Sequence, residues 1–420
     1  MKESQRSVWT PPTELVLSNG IRLVSDHVTS VDSCALGIWV QAGTRDEHRG
    51  KSGVAHFVEH TSFRRTTSRT TSKISRDFEN RGAYANAYTT KEETCYYVRT
   101  LREHLDDVSE TLADVVVHPL FYEADVEKER TIIVEEIRSY EDEPEEHIFD
   151  LGEQQLFPTH AIGSSIVGTV ADVERLRQTD IQRFHQQHYT TGNITIAISG
   201  NHDIDAFARH IERCTTGIPR KKRRADARKA PVAAQPSHAE HHKQTQQAHV
   251  LWQTPTTGYH HADRFALQIL NVVLGDGMSS RLNTKLRETR GLAYSVYSQL
   301  QLFMDCGIMA IYAGIDEAQR SRVEKEVASI MTSLAEHGIT SAERKRAVAQ
   351  LRASKLMSLE SLTSRMTLLG KGIMEEGYPE DPRQTIDALE SVTLADVQRV
   401  AAAYCTPSMW SSTCLLPAGE

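Results

Sequence analysis

The 420-residue chain has no run of 18 apolar residues, the length a helix needs to cross a bilayer, so no membrane partner is expected. Residues 1–12 lack the apolar core of a secretory signal, carry Glu3 and are short of arginine, so neither a secretory nor a mitochondrial leader is expected there. The six cysteines (Cys34, Cys95, Cys214, Cys306, Cys405 and Cys414) form no C-x-x-C pair. That removes thiolate zinc sites and dithiol redox motifs, and a reducing cytoplasmic setting fits most simply. There is no serine-hydrolase elbow, P-loop or dinucleotide fingerprint, and Gly163-Ser164-Ser165-Ile166-Val167-Gly168 reads as a turn. The net charge of −8 gives no reason to expect nucleic acid. What remains is an ordinary globular composition, long enough for two or more domains.

What is present is organised around Gly53-Val54-Ala55-His56-Phe57-Val58-Glu59-His60, which has no proline, and no glycine after Gly53. Residues four apart share a helix face, so His56 and His60 can aim two imidazoles at one point, with Glu59 beside it. Two neutral imidazoles suit Zn²⁺, and a catalytic zinc site takes three protein ligands and keeps one position open. The spacing H-x-x-E-H reverses the zincin order H-E-x-x-H. Alone, it is also compatible with two surface histidines on an ordinary helix, so the rest of the chain must decide.

A third ligand is sought in residues 126–137. At about 100° per residue, Glu129 and Glu136 lie within roughly 20° of each other, with Ile132 and Ile133 between them on one stripe. Both carboxylates are therefore expected on the inward face, and Lys128, Thr131, Glu135 and Arg138 on the polar one, with Glu135 in solvent. An isolated carboxylate on a buried face is costly, and a cation is a common remedy. Glu136 is taken as the third ligand and Glu129 as the group that orients a ligand histidine or tunes the bound water. In the alternative, both carboxylates meet arginines in structural ion pairs.

Asn19-Gly20 between apolar runs 14–17 and 21–24 predicts a hairpin. Strands are expected over 33–42, 83–89, 94–100 and 193–199, and helices over 74–80, 101–117, 123–140, 172–185 and 204–214. The polar stretch 61–72 reads as a polar loop or a frayed helix end, with a solvated connection preferred. Residues 218–247, with Lys221-Lys222-Arg223-Arg224 and three prolines, read as a linker. In this reading the basic run is solvated, and His238, His241 and His242 are linker residues rather than a second metal site. Further on, strands are expected over 248–254, 293–302 and 306–313, and helices over 263–274, 281–289, 318–337, 341–357 and 393–404. Strands and helices mix without strict alternation, which indicates α+β.

The two halves look alike. Phe78-Glu79-Asn80-Arg81-Gly82-Ala83-Tyr84 and Arg287-Glu288-Thr289-Arg290-Gly291-Leu292-Ala293-Tyr294 each end a helix and open a strand pair, followed by two long helices. This predicts a duplicated domain of α/β-sandwich type, divided as 1–217, a linker 218–247, and 248–420. Residues 266–274, the second-half counterpart of the His56 stretch, contain no histidine.

On these residues the chain resembles the pitrilysin-family zinc metallopeptidases, of the group containing the mitochondrial processing peptidase. His56-x-x-Glu59-His60 followed 76 residues later by Glu136 is similar to the family's ligand spacing. Residues 82–94, with Asn86-Ala87 and Thr89, resemble its substrate-binding edge strand. Arg287 and Tyr294 resemble its Arg–Tyr pair near the scissile bond. The resemblance implies half of a clam-shaped peptidase of four α+β units, one zinc per chain, peptide substrates, a homodimer and a bacterial cytoplasmic setting. It implies His56, His60 and Glu136 on the metal, Glu59, Glu129, Arg287 and Tyr294 in catalysis, and Asn86, Ala87, Arg287 and Tyr294 on substrate. One departure is Phe63-Arg64-Arg65-Thr66 where many relatives have Phe-Lys-Gly-Thr, which puts the loop geometry in question. Two rival readings are a non-catalytic subunit of a hetero-oligomer and a metal-dependent deacylase of small amides.

Overall fold

The computed structural model describes residue 9 and residues 11–221 and 228–418; Lys222, Arg223 and Arg224 of the basic run, and most of the N-terminal stretch read above, lie outside the described residues. Its strands are β1 (Thr13–Val16), β2 (Arg22–His27), β3 (Ser33–Val40), β4 (Tyr84–Thr89), β5 (Thr94–Leu101), β6 (Ile194–Gly200), β7 (His238–Lys243), β8 (Ala248–Thr256), β9 (Ala293–Leu302), β10 (Gly307–Ile315) and β11 (Ser411–Pro417). Its α-helices are α1 (Val54–Ser62), α2 (Thr71–Glu79), α3 (Leu105–Val117), α4 (Glu123–Asp142), α5 (Pro144–Leu156), α6 (Val170–Arg175), α7 (Gln178–His188), α8 (Ile204–Cys214), α9 (Arg264–Asn271), α10 (Arg320–His337), α11 (Ser341–Ser358), α12 (Leu362–Glu375), α13 (Pro382–Ser391) and α14 (Leu394–Tyr404).

The chain divides into two compact units, and neither is continuous in sequence. The first gathers the chain up to Ile137 with Ser165–Lys229 and Leu356–Pro382; the second takes Arg138–Ser164, Ala230–Lys355 and the chain from Arg383 on.

In the first unit the sheet runs β1-β2-β6-β3-β5-β4, with β2 and β6 parallel and the other neighbours antiparallel. Successive side chains on a strand face opposite ways, and β3 is apolar on both. Leu36, Ile38 and Val40 join Phe57, Leu112, Ile133 and Phe207 from the helices on one face, while Ala35 and Trp39 join Met366, Leu369 and Ile373 of α12 on the other. The Trp39 ring requires glycine around it: a Cβ at Gly37 or Gly370 would meet it at 2.3 and 2.6 Å. Arg365 of α12 grips Asp26 of β2 through two hydrogen bonds of 2.6 and 3.0 Å, and Ser199 donates to the same carboxylate at 2.7 Å.

The second unit repeats this plan. Its sheet runs β7-β11-β8-β10-β9 with β7 and β11 parallel, matching the first sheet strand for strand except for β1. Val250 and Trp252 of β8 join Leu267, Ile311, Val327 and Val397 on one face, and Leu251 joins Ile148 of α5 on the other. The same local signal opens both hairpins. Gly82 (φ +58) carries α2 into β4, and Gly291 (φ +59) carries the π-helical turn Asn283–Thr289 into β9. Left-handed backbone of this kind suits glycine.

The α+β class and the duplication hold, with several corrections. The units do not follow the division 1–217, 218–247 and 248–420, because the two halves exchange equivalent helices: α5 covers the second sheet and α12 the first. Part of the expected linker is ordered into β7, paired with β11, and Arg228 clamps Asp46 at 2.6 and 3.0 Å. The expected helix 172–185 breaks between α6 and α7. The expected helix 281–289 is a π-helical turn over Asn283–Thr289. The stretch 61–72 is not a solvated connection: Arg65 pairs with Asp125, and Thr66, Ser68 and Arg69 all reach the buried Asp114. Arg65, standing where the resemblance implies glycine, needs no left-handed backbone, since Phe121 is the one described non-glycine residue with positive φ.

Replacing one partner of the buried Asp26–Arg365 pair strands the other charge, so Asp26→Leu or Arg365→Met should each cost about 3–5 kcal/mol in urea unfolding. The double variant should recover much of that loss. A second expectation concerns acid. His202, which accepts from Ser25 at 2.7 Å and donates to Gly200 at 3.0 Å, and His185, which donates to the Val116 carbonyl at 2.9 Å, are both pushed down to about 4, chiefly by burial. Below the ordinary histidine value of 6.5 the unfolded chain takes up protons that these two rings refuse until about pH 4. Stability should therefore fall as pH drops through that window, by up to ~1.4 kcal/mol per pH unit for each ring, and His202→Gln should flatten the dependence of Tm on pH.

Candidate metal centre

Helix α1 is set in place before its side chains act. Gly53, at φ +88, begins it so close to the segment around Val167 that a Cβ would lie 2.7 Å from the Val167 carbonyl oxygen. Glu47 accepts from the Gly53 and Ala55 amides at 3.0 and 2.8 Å, closing the first turn. Burial pushes that carboxyl up to about 8 against the pull of both amides. The apolar face of α1 is buried in a core that Phe57 shares with Ile133 and Ile137 of α4, and Arg130 of α4 lies 5.6 Å from the Phe57 ring.

This packing brings together groups 76 residues apart. Glu136 Oε2 lies 3.8 Å from His56 Nε2 and 3.5 Å from His60 Nε2, and the two rings are 4.4 Å apart. Neither Nε2–carboxylate separation is a hydrogen bond. A zinc ion with bonds of about 2.0–2.2 Å to nitrogen and oxygen places tetrahedral ligand atoms roughly 3.3–3.6 Å apart, so the donor set fits such an ion. Among the described residues this is the one group of three or more histidine, cysteine, aspartate or glutamate side chains so placed. His238, His241 and His242 alternate along β7 and form no such group.

Behind the donors, His60 Nδ1 donates to Glu129 Oε2 at 3.0 Å, which leaves the lone pair of Nε2 toward Glu136. Arg64 Nε donates to the other Glu129 oxygen. Glu129 thus both orients a histidine and meets an arginine, combining the two readings its position allowed. Ile132 departs from expectation: it is 44% exposed while Ile133 is buried, because the inward stripe of α4 runs through Val126, Glu129, Ile133 and Ile137. Glu135 is exposed as expected.

Glu59 is half-buried, and its Oε2 accepts from Thr89 Oγ1 at 2.5 Å. Burial raises the Glu59 and Glu136 carboxyls, opposed in part by His60. Burial takes His56 down to about 3, with His60 adding to the shift. For His60 burial also pulls down, but Glu129 and the carboxylates of Glu59 and Glu136 outweigh it and the net shift is upward.

Asn86 and Ala87 lie on β4, the edge strand of the same sheet, where Asn86 Oδ1 accepts from the Ala87 amide at 2.8 Å. Arg287 and Tyr294 belong to the second unit, on the π-helical turn and on edge strand β9; both are exposed, Tyr294 by 80%. Sequence reasoning missed three functional contacts: Thr89 on Glu59, Arg64 on Glu129, and Glu47 on the start of α1. Each joins residues whose meeting depends on packing or loop path rather than helical spacing.

Residues 22–170 match the family model described as Insulinase (Peptidase family M16), and residues 175–351 that described as Peptidase M16 inactive domain. An uncharacterized zinc protease of Mycobacterium leprae is 34% identical over 403 residues, 95% of this chain and 90% of that protein. One of Streptomyces coelicolor is 36% identical over 391 residues, 92% of this chain and 85% of that protein. One of Bacillus subtilis is 32% identical over 383 residues, 91% and 93% of the two chains. A protease from Helicobacter pylori shares the fold with a TM-score of 0.88 at 22% identity, over 97% of this chain and 100% of that one. A peptidase M16 inactive domain from Pseudomonas fluorescens does so at 0.90 and 17% identity, over 98% and 99%.

Titration against a chromophoric chelator should find one zinc bound per chain, with His56→Ala, His60→Ala and Glu136→Ala each abolishing tight binding. Glu129→Gln, which leaves the three donors intact, should weaken binding by about 10–100-fold. Wild-type affinity in Glu136→Ala would remove that residue from the ligand set.

Proposed function

This chain belongs to peptidase family M16, the pitrilysin family, and on that premise we propose that it is a zinc-dependent metalloendopeptidase acting on unfolded peptides or flexible segments. The observation that carries the reading is the convergence of Glu136 on His56 and His60 with a carboxylate, Glu59, beside them. The names of its curated relatives support the metal.

When bound by His56, His60 and Glu136, zinc supplies Lewis acidity toward the scissile carbonyl and lowers the pKa of water beside it. Glu59 would take a proton from the attacking water on its carboxylate and return it to the leaving amine. Glu129 holds His60 in the tautomer that presents Nε2. Edge strand β4, around Asn86 and Ala87, adds the substrate backbone as a further strand, which selects extended conformation over side-chain identity. Tyr294 and Arg287 are the proposed donors to the developing oxyanion, each such donor being worth about 10²–10³ in rate. A homodimer that sets each zinc unit against an Arg–Tyr unit completes the site, in a bacterial cytoplasm.

A second reading, a non-catalytic partner subunit, draws on the match of residues 175–351 to an inactive-domain model. Residues 266–274 carry no histidine, so that description applies to the second half and leaves the zinc half untouched. Glu59→Gln tests the assignment: it should keep stoichiometric zinc and lose at least ~10²-fold in cleavage of unstructured peptides. A wild-type chain that binds zinc but cleaves nothing, alone or as a dimer, supports the partner-subunit reading.

A further inference from the structure

We propose that Thr89 is the positioning residue for Glu59, fixing one carboxylate oxygen so that the other is free to take the proton; this rests on the peptidase reading above. Thr89 is the last residue of β4, paired with Thr94 across the sheet, and its side chain is buried. Its hydroxyl lies 2.5 Å from Glu59 Oε2. An ionised carboxylate offers only acceptors, so the hydrogen in this contact is the threonine's. The neighbouring hydroxyl does not compete for it: Thr94 Oγ1 donates to the Ala42 carbonyl at 3.0 Å and stands 3.4 Å from Thr89. Glu59 Oε1 has no hydrogen-bond partner among the described residues, and the side chain keeps partial exposure.

The consequence is a division of labour within one carboxyl group. Glu59 sits on α1 and on its own has several side-chain rotamers. Thr89, branched at Cβ and held in a paired strand, has little freedom. The hydrogen bond transfers the rigidity of the strand to the base. That strand is also the edge proposed to accept the substrate backbone, so one element sets both the register of the peptide and the direction of the proton acceptor. The bland alternative is a buried hydroxyl that merely takes the nearest acceptor, in which case its loss would change stability and leave turnover alone.

The test compares Thr89→Val, which keeps shape and branching but removes the hydroxyl, with Thr89→Ser, which restores it, in the full chain loaded with zinc. Quenched fluorescent unstructured peptides report kcat and KM, metal analysis reports zinc, and crystal structures report the Glu59 carboxylate. Thr89→Val should lose about 10–100-fold in kcat at unchanged KM and zinc content, and Thr89→Ser should recover most of it. In the Thr89→Val structure the Glu59 carboxylate should leave its wild-type orientation. Wild-type kcat in Thr89→Val, an equal loss in Thr89→Ser, or an unmoved Glu59 overturns the proposal. If the wild-type chain cleaves nothing, the peptidase reading falls on its own, and the Glu59 orientation in the two variant structures still decides the role of Thr89. Should Thr89→Val fail to fold, Thr89→Ala removes the same hydroxyl and takes its place.

Discussion

One carboxylate oxygen of Glu136 is held 3.8 and 3.5 Å from the Nε2 atoms of His56 and His60, too far for a hydrogen bond to either. Holding these partly buried polar groups together is costly unless a cation sits among them, because burial strips them of water. The surrounding structure serves to impose it. Glu47 and the Gly53 turn fix where α1 starts, the core shared by Phe57 and Ile133 joins α4 to α1, and Glu129 with Arg64 fixes the His60 ring. Each device acts on orientation rather than on contact with substrate.

The duplicated plan explains where the chemistry is absent as well as where it is present. Both units use the same strand order and the same glycine-led entry into an edge hairpin, yet among the described residues only the first holds a histidine and carboxylate cluster spaced for a cation. The exchange of α5 and α12 places under each sheet a helix encoded in the other half of the sequence. The Asp26–Arg365 pair and the Trp39 ring against Gly370 are interactions between residues more than 300 positions apart, and they make the first unit dependent on the late part of the chain.

Much of this was legible beforehand where the relevant distances are short in sequence. His56, Glu59 and His60 follow from helical spacing, and the inward position of Glu136 follows from the same period applied to α4. The period also misplaced Ile132, since the stripe that meets α1 is narrower than the apolar pattern suggests. The polar stretch 61–72 looked solvated because its partners, Asp114 and Asp125, lie on later helices. Helices α5 and α12 went unread, because each packs on a sheet from the other half of the chain and so answers to no neighbouring strand pattern.

By itself the sequence determined the metal motif, the α+β class and the repetition, because all three are written in local period and spacing. Tertiary structure alone decided which arginine meets Glu129, which hydroxyl holds Glu59, and which helix closes which sheet. Those depend on side chains from distant segments competing for the same few ångströms, and no local pattern encodes the outcome of that competition.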